Sequence, residues 1–153
     1  MDNRTTGMTG HQENPGSGVT LQGEPAPEAD IPAIVRALGI NAVRTVNPLD
    51  LAEVRAALAW ALALSEPAVI ITRWPCVLKK WSERDQAEFG VGGSKCVIRA
   101  DLCIGCKKCV QTGCPALRFD KQSRKTSIDP VQCTGCTVCL QVCPVKAINK
   151  AGE

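Results

Sequence analysis

Aromatic side chains are nearly missing from this 153-residue chain, which has no tyrosine, two phenylalanines and three tryptophans. Between Cys96 and Lys150 the sole aromatic is Phe119. A segment that short and that poor in large apolar groups cannot bury enough surface to fold well by itself. Cross-links must supply what its core does not, as metals do in other small domains. Long hydrophobic runs are missing too. The most apolar stretch, Ala56 to Leu64, stops at Ser65-Glu66-Pro67, well short of a membrane span. The first residues lack the basic start and apolar region of an export signal. A disulfide-rich secreted fold is therefore not expected, and a reducing, cytoplasmic, anaerobic setting is. The length allows one domain or two small ones.

Cysteine is abundant: ten residues, eight of them in two near-copies of one pattern. The first is Cys103, Cys106, Cys109 and Cys114, followed by Pro115. The second is Cys133, Cys136, Cys139 and Cys143, followed by Pro144. The spacings C-x2-C-x2-C-x4-C-P and C-x2-C-x2-C-x3-C-P are those of thiolates around cubane iron–sulfur clusters, one cluster per copy. Three cysteines two residues apart wrap a loop around three irons, and the fourth thiolate must come from elsewhere. In proteins with two such clusters it comes from the other motif. That rule groups Cys103, Cys106, Cys109 and Cys143 around cluster 1, and Cys133, Cys136, Cys139 and Cys114 around cluster 2. Gly105 and Gly135 occupy the same place in each loop, where a tight turn brings amide N–H groups near the sulfides. Pro115 and Pro144 hold the preceding cysteine extended, aiming its sulfur away from its own loop. The competing readings are zinc and disulfides. Zinc prefers two separated ligand pairs, which CxxCxxC does not offer. Cys76 and Cys96 are left over and read as small buried apolar residues, since a third cluster would need four thiolates. Lys107 and Lys108 flank a ligand, placed to meet an acidic partner, to raise the cluster potential, or simply to face water.

The formal charge of +3 counts thiols as neutral. Each 4Fe–4S cluster with its four thiolates carries about −2, so the loaded chain is close to −1 and nucleic-acid binding is not expected.

Before the cysteine region the pattern differs. Met1 to Asp30 is polar and reads as a flexible tail. Asp30 caps a helix with Pro32 in its first turn, stopped by Gly39. Ala42 to Val46 reads as a strand, and Asn47-Pro48 as the start of a helix over Leu49 to Leu64, with an apolar stripe at Leu51, Val54, Leu58, Ala61 and Leu62. Ala68 to Thr72 is a continuous apolar strand. Trp74 to Gly93 reads as a charged connector. Short strands are expected at Cys96–Arg99, Leu117–Asp120, Thr126–Ile128 and Ala147–Asn149, with single helical turns at Lys107–Gln111 and Thr137–Gln141. The first three ligands repeat at an offset of 30 and the fourth at 29, so a duplicated unit with pseudo-twofold symmetry is the simplest architecture.

Three stretches together carry a resemblance: DNRTTGMTGHQENPG from Asp2 to Gly16, Arg73-Trp74-Pro75-Cys76 after the apolar strand, and CIGCKKCVQTGCPAL in the first cysteine motif. They are similar to the thiamine-diphosphate-dependent 2-oxoacid:ferredoxin oxidoreductases, and among them to the C-terminal part of indolepyruvate ferredoxin oxidoreductase large subunits. The resemblance runs from Asp2 to about Lys150. It implies the α/β C-terminal half of a thiamine-diphosphate-binding domain over residues 1–75, a linker over 76–95, and an α+β ferredoxin-like two-cluster domain over 96–150. It also implies a reaction: an aryl-2-oxoacid such as indolepyruvate loses carbon dioxide, coenzyme A takes the acyl group, and ferredoxin takes the electrons. Asn3 and Thr5 match positions that help hold the Mg2+ of thiamine diphosphate, and His11 faces either the cofactor pocket or solvent. The Gly-Asp metal segment and the catalytic glutamate region are expected from a missing N-terminal part or a second subunit, so this chain alone is expected to transfer electrons only. The alternative is a free-standing two-cluster ferredoxin with an N-terminal extension. Residues 1–75 distinguish the two, because a carrier does not need them.

Overall fold

The computed structural model describes residues 1–8 and 10–152; Thr9, within the N-terminal motif, and Glu153 lie outside the described residues. The chain divides into two compact units, Met1–Phe89 and Gly90–Glu153. Among the described residues no helix is long and apolar enough to cross a membrane.

The first unit is a strand–helix–strand with helices before and after it. Its elements are α1 (Ile31–Ala37), β1 (Ala42–Val46), α2 (Leu51–Leu62), β2 (Ala68–Thr72) and α3 (Glu83–Phe89). Asp30 caps α1 as its sequence implies, accepting from the Ala33 N–H at 2.8 Å. The cap of α2 is Asp50 rather than Asn47. Asp50 accepts from the N–H groups of Ala52 and Glu53 at 2.9 and 3.0 Å, while Asn47 forms a turn one step earlier by accepting from the Leu49 N–H. Both side chains can satisfy an orphan amide, and the one whose backbone is extended just before the first turn wins. β1 and β2 pair in parallel, Ala42 opposite Ala68 through Val46 opposite Thr72. On α2 only Ala57 is buried; Leu58 is 50% and Leu62 86% exposed, so half of the expected stripe meets no partner within this chain.

Two stretches expected to be loose are structured. Residues 2–8 and 10–28 fold around Arg4, which is 2% exposed. Its guanidinium donates to the carbonyls of Gly16 and Ser17 at 2.8 and 3.1 Å and to Glu28 at 2.7 Å. A polar composition predicts disorder only when no buried charge organises it, and a buried guanidinium whose two terminal nitrogens are held by carbonyls and a carboxylate does so here. The expected connector carries α3. Ser82 and Asp85 cap it reciprocally: the Asp85 N–H donates to the Ser82 hydroxyl at 3.1 Å and the Ser82 N–H to the Asp85 carboxylate at 3.0 Å. Asp85 also pairs with Lys79 at 2.9 Å. Phe89 packs edge-on against Trp74 with centroids 5.7 Å apart.

The second unit holds two antiparallel strand pairs. β3 (Cys96–Ile98) pairs with β6 (Ile148–Lys150), and β4 (Leu117–Asp120) with β5 (Lys125–Ile128). A 3-10 turn at Val110–Thr112 and the short helix α4 (Val138–Val142) follow the two cysteine loops, each starting one to three residues beyond the expected helical turn. The buried core consists of Cys96, Cys109, Ala116, Leu117, Cys133, Cys139 and Ile148. Most of these side chains are cysteines, so this unit is organised around sulfur, as its lack of aromatics requires.

Candidate metal centres

Each cysteine loop is shaped by a left-handed glycine. Gly105 has φ +69° and Gly135 φ +74°. A Cβ on Gly105 would collide with the Arg124 carbonyl oxygen, and one on Gly135 would sit 3.0 Å from the carbonyls of Gly93 and Ser94, so both loops require glycine. The residue after the second cysteine is also left-handed in both: Lys107 at φ 62° and Thr137 at φ 61°. The two loops thus share a backbone path, not merely a spacing.

The cysteines line two separate cavities. Cys103, Cys106 and Cys109 line the first together with Cys143 from the other motif. Cys133, Cys136 and Cys139 line the second together with Cys114. Cys143 has an extended backbone, φ −79° and ψ 111°, as Pro144 demands. Cys96, set aside in the sequence as a buried apolar residue, is 3% exposed and lines the second cavity as a fifth sulfur. The other spare, Cys76, is half-buried, and its carbonyl accepts from the Trp81 indole at 3.0 Å. All ten cysteines are unbridged.

Backbone amides point at the sulfurs. The Ala147 N–H donates to Cys143 Sγ at 3.2 Å and the Cys96 N–H to Cys133 Sγ at 3.4 Å. The Thr126 backbone N–H holds the Cys103 thiol below its ordinary range, helped by Gly105 and by the nearby Lys125 charge. Burial pushes the Cys109 thiol up. Cys139 is pushed far up, first by burial and then by Cys96, Cys136 and Cys133 beside it. Crowded thiols that resist ionising together are relieved by cationic iron, which holds each as a thiolate. Among the described residues no group of three His, Cys, Asp or Glu side chains converges on one point as a single metal ion would need. Four sulfurs distributed over one cavity wall suit a cube that offers each thiolate its own iron. The donor sets therefore fit 4Fe–4S clusters better than zinc.

Asn3 and Thr5 lie together in the first unit. The Thr5 N–H donates to Asn3 Oδ1 at 3.4 Å, and the Thr5 hydroxyl to the Gln12 carbonyl at 3.2 Å. Thr5 is buried and Asn3 half-buried. The pair fits part of a hard-cation site and not a whole one, which needs about six oxygens. His11 is exposed, with φ 59°. Sequence reasoning passed over Arg4, which sits between Asn3 and Thr5 and fixes that loop; Glu28, its partner, also pairs with Arg73 and Arg84. No spacing rule links residues this far apart. The Ser82-x-x-Asp85 box, in contrast, was readable.

Two family models match the chain. Residues 1–72 match the thiamine pyrophosphate enzyme C-terminal TPP binding domain, and residues 102–147 the 4Fe-4S dicluster domain. Over 153 residues the chain is 40% identical to indolepyruvate oxidoreductase subunit IorA of Methanothermobacter thermautotrophicus, covering 100% of this chain and 23% of that protein. The Archaeoglobus fulgidus subunit IorA is 41% identical over 99% of this chain and 23% of its own length. The chain thus spans about a quarter of the length of these curated relatives. A solved structure, ferredoxin I from Desulfovibrio africanus, is 25% identical over 39% of this chain and 98% of its own, with a TM-score of 0.36.

Proposed function

We propose that this chain, which is related along its whole length to the IorA subunits of indolepyruvate oxidoreductases, is the electron-delivering part of a larger 2-oxoacid:ferredoxin oxidoreductase. Its thiamine pyrophosphate enzyme C-terminal domain is followed by a ferredoxin-like domain for two 4Fe–4S clusters. In the complete enzyme thiamine diphosphate and Mg2+ supply the decarboxylating chemistry for indolepyruvate or another aryl-2-oxoacid, with coenzyme A receiving the acyl group. Asn3 and Thr5 give the Mg2+ two of its oxygens, and a preceding part or a second subunit gives the rest. The chain's span of about a quarter of its curated relatives supports this division. So do the uncovered Leu58 and Leu62.

Cys103, Cys106, Cys109 and Cys143 hold cluster 1; Cys133, Cys136, Cys139 and Cys114 hold cluster 2. The observation that carries the reading is the exchange of the fourth cysteine between the two cavity walls. The paired left-handed positions Gly105/Gly135 and Lys107/Thr137 support a pseudo-twofold repeat. The clusters supply one-electron steps, so a pair of electrons from the oxoacid leaves singly to ferredoxin in the cytoplasm.

Anaerobic reconstitution followed by iron and sulfide analysis tests the reading, with about eight of each expected per chain. Bound zinc without charge-transfer absorption would overturn it. Cys114→Ser should damage the cluster of Cys133, Cys136 and Cys139, and Cys143→Ser the cluster of Cys103, Cys106 and Cys109. EPR spectra of the reduced variants distinguish the two, and damage confined to each mutation's own motif would rule out the exchange.

A further inference from the structure

The second cavity carries one sulfur more than a cluster needs. Cys96, Cys114, Cys133, Cys136 and Cys139 all line it, against four cysteines in the first cavity. Cys96 belongs to neither motif. It opens β3, where pairing with Lys150 of β6 fixes its backbone. Its N–H donates to Cys133 Sγ at 3.4 Å, which anchors it to one of the assigned ligands. Its thiol lies against that of Cys139, a second assigned ligand. Cys96 is 3% exposed, and its thiol meets the Thr137 backbone N–H as well as the two ligand cysteines, so it is held in the loop that carries Cys136 and Cys139. A buried cysteine that only fills space would be as well placed anywhere in the core.

We propose that Cys96 is a reserve ligand of cluster 2, positioned to take the iron assigned to Cys139 when the Cys139 sulfur is missing. In that event the Cys96 thiol gives its proton to the hydroxide that the iron would otherwise hold, which leaves as water, and the sulfur bonds to the iron. No electron is transferred. In the intact chain the same residue contributes through its amide, since hydrogen bonds to ligand sulfurs are among the factors that set a cluster's potential. The proposal rests on the cluster assignment made above.

The test is iron and sulfide content after anaerobic reconstitution of four full chains: the unaltered chain, Cys96→Ala, Cys139→Ala and the double variant, each with the EPR spectrum of its reduced form. The unaltered chain and Cys96→Ala should hold about eight irons. Cys139→Ala should also keep about eight, with an altered EPR signal for cluster 2 because one sulfur now approaches from β3. The double variant should lose about half its iron and keep the signal of cluster 1. If Cys139→Ala alone loses cluster 2 or fails to fold, Cys96 does not serve. Full iron in the double variant would mean that another group takes the place, and would overturn the proposal equally. An unaltered chain without iron would instead defeat the cluster assignment itself, so the two failures are separable.

Discussion

At the scale of single residues, charge burial organises the first unit. Arg4, Arg73 and Arg84 converge on Glu28, and Lys79 holds Asp85, whose side chain is 3% exposed. Burial alone would raise the Asp85 carboxyl. The Lys79 ammonium and the Ser82 N–H and hydroxyl outweigh it, and hold the group below its usual range. A carboxylate depressed on folding adds stability that is complete above its unfolded value of about 3.9 and is lost as pH falls through the lower folded value. The tryptophans, Trp60, Trp74 and Trp81, all lie in this unit, so their fluorescence reports its unfolding. Asp85→Asn should lower the urea midpoint near neutral pH, and the gap to the unaltered chain should narrow as pH falls below the ordinary carboxylate range and through the depressed folded value. A gap that stays constant with pH would mean that Lys79 does not select the ionised form.

At the scale of elements, local sequence signals and tertiary demands competed, and the winner depended on how many residues could play the part. β1, β2 and β4 stand at their expected boundaries because each is an apolar or alternating run closed by turn residues. α2 had two candidate caps three residues apart, and Asp50 took the role because its carboxylate reaches two amides at once. Asp50→Ala should therefore cost about 1 kcal/mol of stability in the first unit. Asn47→Ala, which loses only a turn contact to Leu49, should cost less. Urea titrations of the two variants compare them, and a larger loss at Asn47 would return the cap to the residue first expected.

At the scale of the whole molecule, the sulfur core makes charge a property of the loaded protein. The bare sequence has a pI of about 8.4 and a formal charge of +3. With each cluster and its thiolates contributing about −2, the holo chain becomes weakly acidic. Isoelectric focusing under anaerobic conditions should shift the chain from a basic to an acidic position on reconstitution. Coincident apo and holo positions would contradict two thiolate-bound clusters. A weakly acidic holo surface also gives little support to a broad basic docking face, and leaves Lys107 as a local feature whose ammonium lies over the Phe119 ring, 4.4 Å from its centre.

The cysteine spacing by itself determined that two groups of four thiolates exist, because ligand spacing is a local property of a loop and glycine is required at a fixed place within it. The hydrophobic pattern by itself determined the strand–helix–strand order of the first unit, through periodicities of two and 3.6 that need no partner to be read. What only the tertiary structure decided were contacts between residues far apart in the chain. Arg4 met Glu28 and Asp85, turning a polar tail into a folded segment. Cys96 met Cys133 and Cys139, turning a spare cysteine into part of a cavity wall. Burial pays no heed to sequence separation, so a charge or a sulfur that looks unattached along the chain acquires its role only when folding chooses its neighbours.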